Sequence, residues 1–428
     1  MIRDLLRFRG KLVRVGTPAL VSKGSLALWG IFTILIVRAL PPEAYAAYAV
    51  ARSLQIFGML LGGGFIMQAV TKFIAEGNTV RERRYTNAAI VLTFGIAIPF
   101  AAVVVAMDGP LRHFYSELDL HGIPWAIALV ILTNATANLP HSILMARHKL
   151  VRMMIADVAS VLVRIGVVSY FLLSGNLTSP LQVFGAMIAG ALASTLIGAA
   201  FAWRHIEPAL GFERKQLVQL FSFGIVTLGS GLASRIYSRT DILLLGKMAA
   251  ESEVSGYSAC RTLTSMATTI SAAAKMVMLP LISRMWASGR RTEILQRIRG
   301  AILIVLLIQL PLVLAFTMFP RSVLNYLFEG KYDAAAPVLL ILGLLMVLRP
   351  FGGLFSCAAA AVGKPSYALY SVVTSAAANL GLNLLLIPRY GAVGAALATA
   401  FSVVAGGAAV MILVVGKLRS EGKTESGP

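Results

Sequence analysis

Charged residues are scarce in this sequence, and acidic ones are scarcer still. Only 13% of its 428 residues are charged and 18 are Asp or Glu, whereas 58% are hydrophobic. The mean hydropathy is +0.81. A soluble chain of this length needs far more charge to cover its surface. Because no stretch is both long and polar, a soluble domain is excluded as well.

Cysteine is nearly absent. Cys260 and Cys357 both fall inside apolar segments, which argues against a disulfide framework and against a metal site. We expect both to be packing residues, and we predict neither a metal nor a cofactor. Residues 1–23 are basic and amphipathic, and the first apolar run lacks a small-residue cleavage site, so no cleavable signal peptide is predicted.

Catalytic motifs are missing too. The sequence has no phosphate-binding glycine loop, no HExxH and no nucleophile elbow. Gly62, Gly63 and Gly64 lie inside an apolar segment, where they allow close packing or a bend. The most polar loop expected outside the membrane, residues 108–121, is too short for a catalytic domain. We therefore predict that the protein is not an enzyme.

What recurs instead is an apolar stretch long enough to cross a bilayer, which takes about 20 helical residues. We place twelve such spans at residues 20–40, 46–70, 86–107, 123–146, 151–173, 181–203, 216–240, 254–282, 300–319, 334–361, 366–387 and 391–416. The fold class predicted is all-α, a polytopic membrane protein with about twelve transmembrane helices.

The basic residues indicate the orientation. One alternate set of loops carries 25 Lys and Arg and the other carries seven. Because basic residues collect in cytoplasmic loops, both termini are predicted to be cytoplasmic, in a bacterial inner membrane. Most of the net charge of +20 is then explained by orientation and by contact with membrane lipids. Nucleic acid is not expected as a partner.

An internal repeat relates the two halves of the chain. Tyr48 and Arg52 match Tyr257 and Arg261 at an offset of 209 residues. Each copy follows an even number of spans, so the repeat is parallel and predicts two six-helix lobes, residues 1–210 and 211–428. Two-lobe transporters of this kind bind substrate between the lobes and work by alternating access.

Six basic residues lie within the spans: Arg52, Arg164, Arg235, Arg261, Lys275 and Arg349. Each costs about 3 kcal/mol near the bilayer centre if it faces lipid. Some can reach the headgroups with their long side chains. We expect the others to face a wet interior.

Polar residues accompany these cations. Span eight carries a polar stripe on a single helical face. Its members stand at relative positions 0, 3, 7, 10 and 14: Arg261, Thr264, Thr268, Ser271 and Lys275. Ser234 stands beside Arg235, and Gln55 follows Arg52 by three residues. We predict that Arg52, Arg261, Arg235 and Lys275 bind an anionic substrate, supported by these polar groups. The alternative for the hydroxyls is a helix-packing face.

Acidic residues are rare within the spans. Asp157 stands two turns before Arg164, where it forms either a charge pair with that arginine or a proton or sodium site. Asp241 is placed at an outer border and is expected to be exposed. Span four carries three polar residues on one face, which serve either inter-helix hydrogen bonds or a ligand: Asn134, Asn138 and His141.

The C-terminal third carries a family resemblance. Gly363-Lys364-Pro365 is followed by Asn379, by Asn383 and by the stretch 387–396, IPRYGAVGAA. Residues 239–246, 254–257 and 329–335 add shorter matches. Together they resemble the Wzx-like polysaccharide flippases, in the superfamily that also holds MATE drug exporters and the lipid flippase MurJ.

The resemblance implies a function. It implies transfer of a polyprenyl-diphosphate-linked oligosaccharide from the cytoplasmic to the periplasmic leaflet, by alternating access, for lipopolysaccharide or exopolysaccharide synthesis. Its pathway partners would be a polysaccharide polymerase and glycosyltransferases. The cavity would be lined by the first two spans of each lobe, where Arg52, Arg235, Arg261 and Lys275 lie.

Three alternatives stay open. The first is an ion-coupled, MATE-like exporter of drugs or small solutes, for which Asp157 would serve as the coupling group. The second is a major-facilitator transporter, because residues 77–84 weakly resemble a loop motif of that family. The third is a membrane glycosyltransferase or polymerase.

Overall fold

The computed structural model describes residues 18, 21, 22, 24, 25, 27–76, 79–203 and 213–425. Most of these residues are helical, and no strand occurs among them. It divides into two compact units, Met1–Leu232 and Ala233–Pro428. The predicted N-terminal basic segment lies largely outside the described residues, as does part of the 77–84 motif.

The described residues of the first unit form eight helices and the start of a ninth. They are α1 (Ala27–Ala39), α2 (Pro42–Leu61), α3 (Met67–Ala75), α4 (Thr79–Ala106), α5 (Asp108–Phe114), α6 (Ile123–Ala146), α7 (Leu150–Leu173), α8 (Pro180–Ala202) and α9 (Arg214–Met248). The second unit continues with α10 (Glu251–Ala287), α11 (Arg291–Met318), α12 (Pro320–Phe328), α13 (Ala336–Ala361) and α14 (Pro365–Glu425).

The second predicted span is bent at its glycines. α2 ends at Leu61, a 3-10 turn covers Gly64–Ile66, and α3 follows. Gly63 adopts a φ of 107°, which suits glycine. A side chain on Gly62 would come within 2.6 Å of Ile131. The glycine triplet thus supplies both the bend and the close packing that the sequence indicates.

A second break divides α14. Gly391 has φ 52° and ψ −131° in the middle of the 61-residue segment. The Glu253 carboxylate fills the space that a side chain at position 391 would need, and it accepts a hydrogen bond from the Ala392 N–H at 2.9 Å. The predicted spans 366–387 and 391–416 lie on either side of this break.

The helices account for the predicted spans. Ten of those described are long and apolar enough to cross a membrane. One of the ten is α14, which carries two predicted spans, and the first predicted span corresponds to the shorter apolar helix α1. The all-α, polytopic fold class is therefore confirmed. Both cysteines are free and buried, as expected for packing residues.

The first part of α9 packs within the first unit. The ring of Phe221 meets that of Phe65 edge-on at 6.2 Å. The Thr227 hydroxyl donates to the Phe65 carbonyl at 2.7 Å, and the Tyr85 hydroxyl donates to Gln219 at 2.5 Å. These contacts explain why the compact unit extends to Leu232 rather than ending near residue 210.

Candidate functional site

Arg52 has neutral partners only. It lies on α2, where its guanidinium donates to Gln55 Oε1 and lies 3.9 Å from the sulfur of Met187. One turn earlier, Tyr48 is buried and packs edge-on against Phe184 at 5.8 Å. Among the described residues no carboxylate pairs with Arg52. Its charge remains available to an anion.

Arg164 forms no direct salt bridge with Asp157 among the described residues. Its Nε is buried without a hydrogen-bond partner, and its side chain lies across Gly190 on α8. Asp157 instead lies 3.4 Å from Nδ1 of His141 and accepts a hydrogen bond from the Ser22 hydroxyl at 2.5 Å. The packing of α6 against α7 brings the imidazole to the carboxylate, which no spacing along α7 reveals.

The second unit holds a buried ion pair. Arg261 on α10 donates to Asp241 on α9 and to the carbonyl of Ser238. Asp241 also accepts from the Tyr257 hydroxyl at 2.5 Å and lies 3.4 Å from the hydroxyl of Thr399. Its side chain is 0% exposed, so the expectation of an exposed border residue is wrong. Four donors, including its own neighbour's N–H, make its burial tolerable.

The repeat makes this difference between the units informative. Five positions related by the offset of 209 are Phe32, Tyr48, Arg52, Gln55 and Gly190 in the first unit and Asp241, Tyr257, Arg261, Thr264 and Thr399 in the second. Tyrosine and arginine are kept in both. The acid occurs only in the second unit, as Asp241. The matching position of the first unit is Phe32. Arg52 and Arg261 are therefore equivalent in position but not in charge balance.

Two further cations of the second unit lie on α10 and α13. The Lys275 ammonium on α10 reaches the surface of Gly353 on α13, about 4.0 Å from where a Cβ would stand. Arg349 precedes Gly353 by one helical turn, on the same face of α13. Neither cation has an ion pair within the described part of the chain. Arg349 was left out of the predicted site, although its charge within a span and the adjacent Gly352 and Gly353 signal a close approach.

Arg235 shares this lack of an acidic partner. Its Nε is buried without a hydrogen bond, and the described residues offer it no carboxylate. Lys275 and Arg235 are both half-buried, like Arg349. In hydrocarbon such charges are costly unless water or an anion reaches them.

The predicted supporting residues differ among themselves. Thr264 is buried and bonds back to the carbonyl of Cys260, whereas Thr268 is exposed and bonds to the carbonyl of Ser265. Ser271 is buried against Gln309 on α11, at 3.4 Å. Ser234 is half-buried, with no hydrogen bond described for its hydroxyl. The polar stripe of α10 thus crosses two environments: Thr264 and Ser271 serve packing, and Thr268 remains accessible.

The fold matches solved transporter structures of the MOP superfamily. An inward-facing MATE-family multidrug resistance transporter aligns with a TM-score of 0.74 and 16% identity, covering 96% of this chain and 99% of that one. The lipid II flippase MurJ, in an inward closed conformation, aligns with a TM-score of 0.74 and 14% identity, covering 93% and 87%. At such identities the likeness concerns the fold.

Two relatives by sequence are also informative. A probable low-salt glycan biosynthesis flippase of Haloferax volcanii is 25% identical over 337 residues, 78% of this chain and 68% of that protein. An uncharacterized membrane protein of Methanocaldococcus jannaschii is 27% identical over 191 residues, 44% of this chain. The match spans only 38% of the latter protein's length.

The family itself follows from a longer match. Residues 35–337 match the sequence profile of the polysaccharide biosynthesis proteins, which is well over half of the chain and includes Arg52, Arg235, Arg261 and Lys275. The chain belongs to the polysaccharide biosynthesis protein family.

Proposed function

We propose that this multi-pass membrane protein is a flippase that moves a polyprenyl-diphosphate-linked oligosaccharide from the cytoplasmic to the outer leaflet by alternating access. The observation that carries the proposal is a set of cations within the spans that have no acidic partner in the described residues. The set comprises Arg52, Arg235, Lys275 and Arg349. Membership of a polysaccharide biosynthesis family is the reason for proposing a glycan as part of the substrate. The unpaired cations are the reason for proposing a diphosphate.

The chemistry of these groups suits a diphosphate. Guanidinium groups bind phosphate oxygens in a bidentate fork, and an ammonium binds them as a point charge. Arg52 keeps one face bonded to Gln55, which fixes the side chain while leaving the charge uncompensated. Arg261 differs, because Asp241 already balances it. We therefore assign the main anion contact to Arg52 and a supporting role to Arg261.

The orientation of the chain supplies a driving force. Both termini are proposed to be cytoplasmic, since loops rich in Lys and Arg alternate with loops that contain few of them. An inside-negative potential then favours outward movement of negative charge by roughly 2.3 kcal/mol per charge at 100 mV. Lipid transfer needs no bond-making step. A polymerase and glycosyltransferases would act on the lipid-linked glycan before and after transfer.

The test is a flipping assay with the full chain in liposomes. A fluorescent polyprenyl-diphosphate disaccharide is protected from dithionite in the inner leaflet and becomes reducible when flipped. We expect Arg52→Ala to slow flipping by at least about tenfold, because one charge-assisted contact is worth on the order of 1.5–3 kcal/mol.

The control is Arg214→Ala, which removes an exposed arginine at the start of α9. It should flip the lipid at the wild-type rate. A wild-type chain that leaves the labelled lipid protected, or an Arg52→Ala variant as fast as Arg214→Ala, would contradict the proposal.

A second candidate is an ion-coupled exporter of drugs or small solutes. It is favoured by one observation, the contact between His141 and Asp157 inside the first unit, since titratable pairs within spans often carry protons. Asp157→Asn separates the two functions. Loss of proton-driven dye efflux with intact lipid flipping would favour the exporter.

A further inference from the structure

A cavity of about 370 Å³ lies within the first unit, between α3 and α6; its lining surface is mostly apolar and carries several polar side chains. It follows directly on the glycine break of the second span, because α3 begins three residues after Gly64. Its walls carry a lysine, a histidine, two side-chain amides and two methionines: Lys72, His141, Gln68, Asn138, Met67 and Met145. None of the residues that line it is acidic.

The cation of this cavity is held in place by aromatic rings. The Lys72 ammonium lies 4.8 Å from the ring centre of Phe223 and 5.3 Å from that of Phe73. These cation–π contacts position the charge without neutralising it. Within the described chain Lys72 makes no ion pair. Its charge is therefore available to a ligand.

The histidine is oriented from behind. Its Nδ1 lies 3.4 Å from Asp157 Oδ1, and the other carboxylate oxygen accepts from the Ser22 hydroxyl at 2.5 Å. Asp157 itself does not line the cavity. An imidazole with one nitrogen at a carboxylate presents the other as a donor or an acceptor. His141 thus adds a polar, fixed group to the wall.

The two amides have unused hydrogen-bonding capacity. No hydrogen bond of the Asn138 or Gln68 side chain occurs in the described part of the molecule. Each amide offers two N–H donors and one acceptor oxygen. Such groups suit phosphate oxygens and hydroxyls, both of which accept from N–H. The two methionines give a soft, adaptable wall.

We propose that this cavity binds a phosphate-bearing headgroup, as a loading site distinct from Arg52. The identity of that headgroup as the diphosphate of the lipid-linked glycan rests on the proposed function. The phosphate of an anionic membrane lipid has the same chemistry. Lys72 supplies the charge, Asn138 and Gln68 supply the donors, and the absence of a carboxylate on the wall removes repulsion.

The test measures binding to the full chain in nanodiscs of phosphatidylcholine, with radiolabelled farnesyl diphosphate as the probe. Lys72→Gln should weaken binding about tenfold, the value of one charge-assisted contact. Lys72→Arg should retain most of it, which shows that the charge rather than the fold is at issue. Lys364→Gln is the matched control, because it removes an exposed lysine of the second unit.

A parallel arm identifies the source of the phosphate. Nanodiscs that contain phosphatidylglycerol are analysed by native mass spectrometry for retained lipid. If Lys72→Gln loses retained phosphatidylglycerol but binds farnesyl diphosphate as wild type does, the cavity binds a membrane lipid.

The outcomes also separate the two proposals. Suppose that Arg52→Ala weakens binding of farnesyl diphosphate and that Lys72→Gln changes neither this binding nor the retention of phosphatidylglycerol. The proposal for the cavity is then wrong, and the proposed flippase function is not affected. A wild-type chain that binds no farnesyl diphosphate contradicts the flippase, while Lys72-dependent retention of phosphatidylglycerol would still support the cavity.

Discussion

Arg52 and Arg261 occupy equivalent places in the repeat, yet the charge of their partners differs. Arg261 donates to the buried carboxylate of Asp241, whereas Arg52 donates to the neutral amide of Gln55. A buried cation that is already paired contributes to the structure of its own unit. One that is held by an amide keeps its attraction for an anion. We therefore expect Arg261 to stabilise its own unit, and we propose Arg52 as the arginine that binds an anion.

The buried pair gives a prediction on stability. Asp241→Asn leaves the Arg261 guanidinium without a counter-charge in a site where the acid is 0% exposed. Unpaired buried charges destabilise by about 3 kcal/mol or more. We expect a marked fall in the free energy of unfolding in mixed micelles, and Asp241→Asn combined with Arg261→Gln should recover much of it.

These variants form a double-mutant cycle, which needs a reference variant and can contradict the prediction. Glu117→Gln alters an exposed carboxylate in the loop after α5 and should leave stability unchanged. If the effects of Asp241→Asn and Arg261→Gln simply add, the two side chains are not coupled and the ion pair contributes nothing.

Sequence reasoning located these cations and the Gln55 partner of Arg52, but not the partners that lie on other helices. A charge within an apolar stretch is visible from composition, so Arg52, Arg235, Arg261 and Lys275 could be selected. The partners depend on how helices pack. Asp241 lies 20 positions before Arg261, and Thr399 lies 142 positions after Tyr257. The spacing of residues along one helix does not reveal such contacts, which is why Asp241 was wrongly expected to be exposed.

Among the helices, glycines mark the places of closest packing. A Cβ on Gly190 of α8 would lie 2.5 Å from Arg164 Cγ and 2.7 Å from the carbonyl oxygen of Ser160. Gly190→Ala must therefore separate α7 from α8, and we expect it to cost about 1–3 kcal/mol in the free energy of unfolding.

The same helix provides the comparison. Gly185→Ala adds the same methyl group where no atom lies within 4 Å. It should be neutral or slightly stabilising, since alanine is the better helix former. Thermal unfolding in detergent measures both variants. Equal melting temperatures for the two would mean that α7 and α8 do not pack through Gly190.

The break in α14 gives a prediction for the stretch 387–396 of the sequence. Gly391 has φ 52° and ψ −131°, a conformation that a residue with Cβ adopts only at a cost of about 1–3 kcal/mol. The Glu253 carboxylate also occupies the space of the new methyl group. Gly391→Ala should lower both the melting temperature and the yield of folded protein.

Gly381→Ala is the corresponding control on α14, because nothing lies within 4 Å of its Cβ position. Adding Glu253→Ala to Gly391→Ala should restore space but not the backbone strain, so only part of the loss should be recovered. Full recovery of the melting temperature in the double variant would show that the clash with Glu253 alone matters. A Gly391→Ala variant with an unchanged melting temperature would show that the break in α14 does not require glycine.

The lengths of the helices exceed what hydropathy indicates. α9 has 35 residues and α10 has 37, about 52 and 55 Å at roughly 1.5 Å per residue. The hydrocarbon core is only about 30 Å thick. The predicted spans 216–240 and 254–282 each cover only part of their helix. Beyond residue 240, α9 continues through the apolar residues 242–245, and beyond residue 282 α10 continues to Ala287.

For the whole molecule, the distribution of basic residues is the physical basis for its orientation. One set of loops holds 25 Lys and Arg and the other seven, so a chain inserted the opposite way would move the basic loops across the membrane. The chain itself is well suited to a test, because both native cysteines are buried at 8% exposure or less and should not react.

Single cysteines at exposed loop positions then report the side of the membrane. Thr178→Cys and Glu117→Cys should react with a membrane-impermeant maleimide added to intact cells, whereas Lys149→Cys and Arg290→Cys should react only after the membrane is opened. The four positions lie in four different loops, so a single misplaced span among the first eight changes the pattern of at least one. Labelling of Lys149→Cys from outside would invert the orientation and, with it, the direction in which an inside-negative potential moves an anionic lipid.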